Sequence, residues 1–354
     1  MTGPLVGIIA NPVSARDIRR VISHAGNLQI TDRANILLRV LAGLAATGVS
    51  QVVMMPENAG IHGHLRRGLN RATNAGEARF PALELLDMAI GGQASDSATA
   101  ARMMRQMNVG AIVVLGGDGT HRVVISECGD VPVAGVSTGT NNAFPEMREP
   151  TITGLAVGLA VTGAVPPGVA VVNNKCLDVA INDRREIALV DVAIVREQFV
   201  GARAIWKSES FRELFVAFAE PGSIGLSSIV GLVAPVKRSS PFGRRLVFDD
   251  PRDAPFRVAA PIAPGLIENM GIARVETLDF DTPRTLTVGS GSIALDGERE
   301  ITFSERDRIS VTLRDAAFRT IDVAACMSFA ASNGLFVESS KQAPIASHAL
   351  GGQG

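Results

Sequence analysis

Between residues 116 and 120 the chain reads Gly-Gly-Asp-Gly-Thr, with three glycines around one acid directly after the apolar run Ala111–Leu115. A glycine-rich turn at the end of a buried strand leaves backbone N–H groups free to cradle phosphate oxygens, and side chains there would block the approach. Gly116, Gly117 and Gly119 are therefore candidates to hold phosphates. Asp118 beside such phosphates can ligate Mg²⁺ or take a proton from an attacking hydroxyl. Thr120 can add a hydroxyl donor and cap the helix that follows. The structural alternative is a tight strand-to-helix turn with a capping aspartate. Neither G-x-x-x-x-G-K-[ST] nor a G-x-G-x-x-G after a strand occurs, so a P-loop and a Rossmann dehydrogenase site are not supported.

Two further polar loops end apolar runs. Asn11-Pro12-Val13-Ser14 follows Val6–Ala10, and Ser137-Thr138-Gly139-Thr140-Asn141-Asn142 follows Val131–Val136. If all three runs are strands of one parallel sheet, Asn11, Ser14, Thr138, Gly139, Thr140 and Asn141 share the carboxyl edge with Asp118 and frame a nucleotide cleft. Asn11-Pro12 alone reads equally as a simple turn. Asp296-Gly297 reads equally as a hairpin turn, or Asp296 and Glu298 supply further carboxylates near the metal. Among other candidates, Arg122 is a fair phosphate contact, and His121 reads as a phosphate contact or a surface helix position. Glu57-Asn58 reads as a plain turn at the cleft rim. His62-Gly63-His64 reads as a solvated loop, and Arg66, Arg67 and Arg71 as a solvated helix face.

These loops need a scaffold. Helices are expected over Asp17–Ser23, Thr31–Thr47 and from Ser95 or Asp96 to about Met107, and strands over Gln51–Met55, Ala82–Ala89 and the runs above. Such alternation implies a parallel sheet with helices on both sides. The second half reads as short strands at Leu177–Ile181, Glu186–Val195, Arg244–Val247, Phe256–Ala259, Ala273–Thr277, Thr285–Val288 and Thr302–Leu313. One Phe-rich helix, Glu209–Ala219, interrupts them. The expected division is an α/β nucleotide-binding domain over 1–145, with 315–335 as a candidate to complete it, then a β-rich acceptor-binding domain over 146–314 and a disordered tail over 336–354.

Gly-Gly-Asp-Gly-Thr followed by a helix is the signature shared by NAD kinases and the diacylglycerol and sphingosine lipid kinases, and the chain resembles that superfamily. Asn11-Pro12-Val13-Ser14 resembles its N-P-x-S-G loop, Ser137–Asn142 its G-T-x-N loop, and Leu295-Asp296-Gly297-Glu298 its L-D-G-E or D-G-Q. With Ile8–Pro12 and Asp17–Arg20, the nearest resemblance is to the NAD kinase-like acetoin-catabolism X protein family. It covers residues 5–160 closely and reaches in patches to about 300. It implies an NAD kinase-like α/β domain with a parallel sheet plus a β-rich C-terminal domain, ATP and Mg²⁺ as cofactors, NAD as a substrate, and a link to acetoin catabolism. Asp118 would be base or metal ligand. Asn11, Ser14 and Thr140 would join the glycines on the phosphates, Asp191 and Asp296 would serve the acceptor side with Asp296 as a second catalytic residue, and Glu298 would bind the nucleotide. Three departures stand out. Ala15 replaces the loop glycine, Val190-Asp191 replaces an Asn-Glu pair, and Gly222–Ile229 occupies the place of a Gly-Ser-Thr-rich segment. The first reading is thus an ATP-dependent kinase acting on a hydroxyl of NAD or a related nucleotide. The alternatives are a lipid or sphingoid kinase and a nucleotide-binding regulator without turnover. Catalysis requires the Asp118 carboxylate to stand open at the sheet rim.

Composition narrows the partners. Formal net charge is -1 over 354 residues, which gives no broad pull on nucleic acid or anionic membrane. The chain has no Tyr and a single Trp, against stacking on single-stranded nucleic acid. The three cysteines are scattered without zinc-site or redox spacing, which fits a reducing cytoplasm. Ile152–Val172 is uncharged and long enough to span a bilayer, but Pro166-Pro167 and four glycines favour a small-residue helix, a turn and a buried strand. A cytoplasmic homo-oligomer acting on a small-molecule nucleotide, without membrane or nucleic-acid partners, is expected.

Overall fold

A computed structural model of the chain describes residues 3–12, 28–74, 76, 80–138, 142–196, 210–297 and 299–337. The expected helix over 17–23 and the tail from 338 lie outside them.

The first half alternates as its sequence pattern predicts. The strands are β1 (Leu5–Ala10), β2 (Gln51–Met54), β3 (Ala82–Leu85), β4 (Ala111–Gly116) and β5 (Val133–Ser137). Between and after them come α1 (Ile30–Ala46), α2 (Ile61–Asn74), α3 (Ala94–Gln106), α4 (Asp118–Cys128), α5 (Pro150–Val161) and the short α6 (Pro167–Ala170). The five strands run parallel in the order β3-β2-β1-β4-β5. β4 is apolar throughout because both its faces are covered. Ala111, Val113 and Leu115 pack with Leu37, Leu41 and Leu44 of α1, while Ile112 and Val114 pack with Met104 of α3 and Val124 of α4.

The uncharged 152–172 stretch becomes α5, a turn with α6, and the start of a strand. Among the described residues no helix is long and apolar enough to cross a membrane. α3 is capped from Gln93 rather than from Ser95 or Asp96. Asp96 sits one turn in, and its carboxylate accepts the N–H groups of Gly91, Gly92 and Gln93 at 3.1, 2.8 and 3.2 Å.

The remaining elements are β6 (Val171–Ile181), β7 (Arg184–Ala188), β8 (Asp191–Val195), β9 (Phe211–Val216), α7 (Ser227–Val233), β10 (Gly243–Asp249), β11 (Phe256–Ala263), β12 (Leu266–Leu278), β13 (Arg284–Thr285), β14 (Gly291–Leu295), β15 (Arg299–Phe303), β16 (Ile309–Ile321) and α8 (Val323–Ser332). The first sheet does not stop at residue 145. β16 joins β5 in parallel, β6 and β7 continue it antiparallel, and β13 pairs with β16. A second, antiparallel sheet has the order β11-β12-β10-β9-β8-β14-β15.

Further expectations are corrected: His62-Gly63-His64 lies in the first turn of α2, not in a solvated loop, and of the 285–288 run only Thr285 is strand, in β13. The Phe-rich 209–219 segment is strand β9, not a helix. Hydrogen-bonded between β8 and β10 and buried on both faces, it follows tertiary pairing over local pattern. Glu186–Val195 is two strands, β7 and β8, because the chain changes sheets at Leu189-Val190. Thr302–Leu313 likewise divides into β15 and β16. One apolar core containing Leu177, Val192, Phe215 and Leu313 joins the two sheets.

Candidate active site

The strand order β1-β4-β5 sets three loop starts side by side. Ala10 is in register with Leu115, and Gly116 with Ser137. Asn11, Gly117 and Thr138 therefore leave one sheet edge together, as the sequence predicts. Ser14, Gly139, Thr140 and Asn141 lie outside the described residues, as does Glu298.

Asp118 opens α4 behind Gly117, its N-cap. Its carboxylate is not open. The residue is 7% exposed, and Oδ1 accepts the Phe144 N–H at 2.8 Å while Oδ2 accepts the Ala143 N–H at 3.0 Å. The acid thus holds the chain just beyond the 139–141 loop. Thr120 is buried one turn further on, and a Cβ on Gly116 would lie 2.6 Å from the Thr120 Cβ. The glycine at 116 is explained by that packing of the turn on its own helix. Thr138 is buried, and its Oγ1 has no hydrogen-bond partner among the described residues.

His121 is neither a phosphate contact nor a surface residue. It is fully buried, Nδ1 meets the Gly117 carbonyl at 2.8 Å, and its ring stands 5.6 Å from that of Phe144. Burial lowers its pKa to about 4 against the pull of that carbonyl, so the ring is neutral and Nδ1 carries the proton. Arg122 is also turned inward, and its Nη1 donates to the Leu295 carbonyl at 2.9 Å, tying α4 to β14.

Asn11 is buried, and its amide donates to Ser97 Oγ at 2.9 Å, which fastens the end of β1 to α3. Beside it a cavity of about 450 Å³ is lined by Asn11, Pro12, Arg33, Met55, Glu57 and Asp96. Glu57 caps α2 through the N–H groups of Ala59, Gly60 and His62, and still reaches this cavity wall.

Asp296 belongs to a different arrangement. Asp296 and Gly297 have left-handed φ of 50° and 66° and open the three-residue hairpin connection between β14 and β15, where Leu295 pairs with Arg299. The Asp296 carboxylate is buried and accepts from the N–H groups of Leu189, Val190 and Asp191 at 2.8–3.3 Å. Burial pushes its acid upward, while the Arg122 guanidinium and those N–H groups pull it down. The carboxylate faces the peptide bonds that lead into β8, where the sequence had offered it as a catalytic group. Asp191 opens β8 and is itself buried.

Among the described residues no three His, Cys, Asp or Glu side chains gather as a metal site. Among the described residues Asp118 is the carboxylate of the Gly116–Thr120 turn, while Glu57 and Asp96 line the neighbouring cavity and are held by backbone N–H groups. That donor set suits a Mg²⁺ carried on substrate phosphates, not one caged by protein alone.

Sequence reasoning missed Ala143, Phe144 and Arg238. The Arg238 Nη2 donates to the carbonyls of Ala143 and Phe144 at 2.9 and 2.8 Å, opposite the N–H groups that Asp118 holds. No motif marks Arg238, because its partners are backbone atoms almost a hundred residues away.

The ATP-NAD kinase N-terminal domain family model matches residues 6–161, and the acetoin catabolism protein X C-terminal domain model matches 175–316. Acetoin catabolism protein X of Cupriavidus necator is 52% identical over 332 residues, 92% of each chain. The crystal structure of a candidate diacylglycerol kinase from Bacillus anthracis aligns over 91% of this chain and 98% of its own, with a TM-score of 0.46 and 14% identity.

Proposed function

Because the chain belongs to the acetoin catabolism protein X family and has an NAD kinase-like N-terminal part, we propose that it binds ATP along the carboxyl edge of the first sheet and phosphorylates a hydroxyl of NAD or a related nucleotide, in support of acetoin catabolism. The observation that carries this reading is the register that brings Asn11, the Gly116–Thr120 turn and Thr138 to adjacent strand ends. Phosphate on this edge meets the N-terminus of α4, where the helix dipole favours an anion. In the reaction the bond from the γ-phosphorus to the β–γ bridging oxygen breaks. A bond to the acceptor oxygen forms and ADP leaves, and the hydroxyl proton passes to Asp118 only once the 143–144 segment has released one of its oxygens. Mg²⁺ arriving with ATP would neutralise phosphate charge, with Asp118 as its candidate protein ligand. Asp191 is the candidate on the acceptor side. Asp296 is withdrawn from chemistry here, because its carboxylate serves the 189–191 peptides.

One observation favours a second reading, a nucleotide-binding regulator without turnover. Both Asp118 oxygens already accept N–H groups from 143–144, so the base is tethered where catalysis needs it open. A lipid acceptor draws no such support. The cavity of about 580 Å³ in the β-rich part is lined by Asn182, Thr285, Glu305, Asp307 and Arg308 alongside its apolar residues.

The deciding experiment incubates the protein with Mg²⁺-ATP and NAD or a sphingoid base, and follows labelled phosphate beside calorimetric ATP binding. NADP formation abolished by Asp118→Asn supports the kinase. ATP binding with no phosphorylated acceptor and no effect of Asp118→Asn selects the regulator. Failure to bind ATP removes both.

A further inference from the structure

The peptide that holds Asp118 is gripped from both sides. The Ala143–Phe144 peptide donates its N–H to Asp118 and accepts at its carbonyl from Arg238, in the loop between α7 and β10; the Ala143 N–H adds a second donor to the acid and the Phe144 carbonyl a second acceptor for Arg238. The Arg238 guanidinium also lies 4.2 Å over the Phe218 ring and 5.2 Å over that of Phe144. This loop has an anchor of its own. Lys175, buried on β6, donates its Nζ to the carbonyls of Lys237, Ser240 and Phe242 at 3.2, 2.7 and 2.6 Å. Those three acceptors bracket Arg238 in the sequence.

We infer that Arg238 is a positioning residue for Asp118, set in place by Lys175, so that the loop entering the second sheet fixes the acid at the edge of the first. The physical basis is polarisation. The Ala143 carbonyl that accepts from the cation shares its peptide with the Phe144 N–H, which becomes a stronger donor to Asp118 Oδ1, so removing the cation weakens that hold; the Phe144 carbonyl, in the peptide of Pro145, only anchors the segment. Hydrogen bonds in series strengthen one another, whereas a guanidinium that only packed against the two Phe rings would leave the 143–144 amides unaffected. The positioning has a catalytic meaning only on the reading of Asp118 as the phosphate-facing acid, but the physical link itself does not require turnover.

Amide hydrogen exchange on the full chain tests the link, with ATP affinity measured in parallel. In the wild type the Ala143 and Phe144 amides are protected. Arg238→Met speeds exchange at Phe144 about tenfold, more than at Ala143, and leaves the β4 amides unchanged. Arg238→Lys, which restores a cation able to reach the same carbonyls, brings the rate back to within about threefold of wild type. Lys175→Met, acting one step earlier, speeds exchange at Phe144 about threefold. Exchange at Phe144 that stays within about twofold of wild type in Arg238→Met, or that rises equally in β4, overturns the inference. If Arg238→Met does not fold, Lys175→Met is judged by the same two criteria. A wild type that binds no ATP removes the proposed function, while the exchange result still decides this one.

Discussion

The molecule contains two Asp-Gly turns that use one chemistry for different ends. At 118 and at 296 a buried carboxylate collects backbone N–H groups from a segment far away in sequence. Asp296 takes its donors from Leu189–Asp191, where the chain crosses between sheets amid apolar core. Asp118 takes its donors from Ala143-Phe144, beside three loop starts at a sheet edge. Dipeptide identity is therefore a poor guide to role, and what decides is whether the donors belong to packed core or to an edge loop. Arg122 joins the two turns, leaving α4 one turn after Asp118 and ending on Leu295, next to Asp296.

The largest effect expected is at the core turn. Asp296→Ala leaves three buried N–H groups without an acceptor and the Arg122 charge without its neighbour, and stability falls by about 4 kcal/mol. Chemical denaturation reads this directly. A loss under about 1 kcal/mol would place Asp296 among the accessible acids and erase the contrast with Asp118.

Acid should act on the edge turn. The folded His121 pKa of about 4 lies below its unfolded value of 6.5, so between these values the unfolded chain binds more protons. Its contribution to stability is whole above pH 6.5 and is lost as pH falls toward 4, by about 3 kcal/mol from a shift of roughly 2.5 units. Because the ring touches Gly117 and Phe144, the loss falls on the Asp118 side. Comparing wild type and His121→Gln at pH 7 and 4.5 isolates it, and equal acid sensitivity in the two proteins would assign the effect to other groups.

Asp118→Asn is expected to lower phosphoryl transfer about a hundredfold, near 2.7 kcal/mol in the barrier, while stability falls by only about 1 kcal/mol because the amide oxygen keeps one N–H donor. A stability loss matching that of Asp296→Ala would make the two turns equivalent.

The edge turn was legible from sequence because glycine spacing after an all-apolar strand is a local signal, and so were the parallel strands β1, β2, β4 and β5. Other features are non-local. The inward turn of His121 and Arg122 depends on Phe144 and Leu295. The grip on Asp118 depends on backbone atoms, which no residue type announces. The Phe-rich 209–219 segment misled because burial on both faces removes the alternation that marks a strand.

The smallest effect is expected at the link between the turns. Arg122→Met removes one charge-assisted hydrogen bond to the Leu295 carbonyl and keeps much of the apolar stem, so stability falls by about 2 kcal/mol. The link predicts more than that number. Losses at separate sites add, so combining Arg122→Met with Asp296→Ala should cost less than the sum, because the first variant already removes the charge facing the carboxylate. Combining it with Asp118→Asn should add within about 0.5 kcal/mol, because the Asp118 oxygens are held from the opposite direction by the 143–144 peptide. A double-mutant cycle measures both sums. Strong coupling to Asp118 with none to Asp296 would reverse the assignment of Arg122 to the core turn.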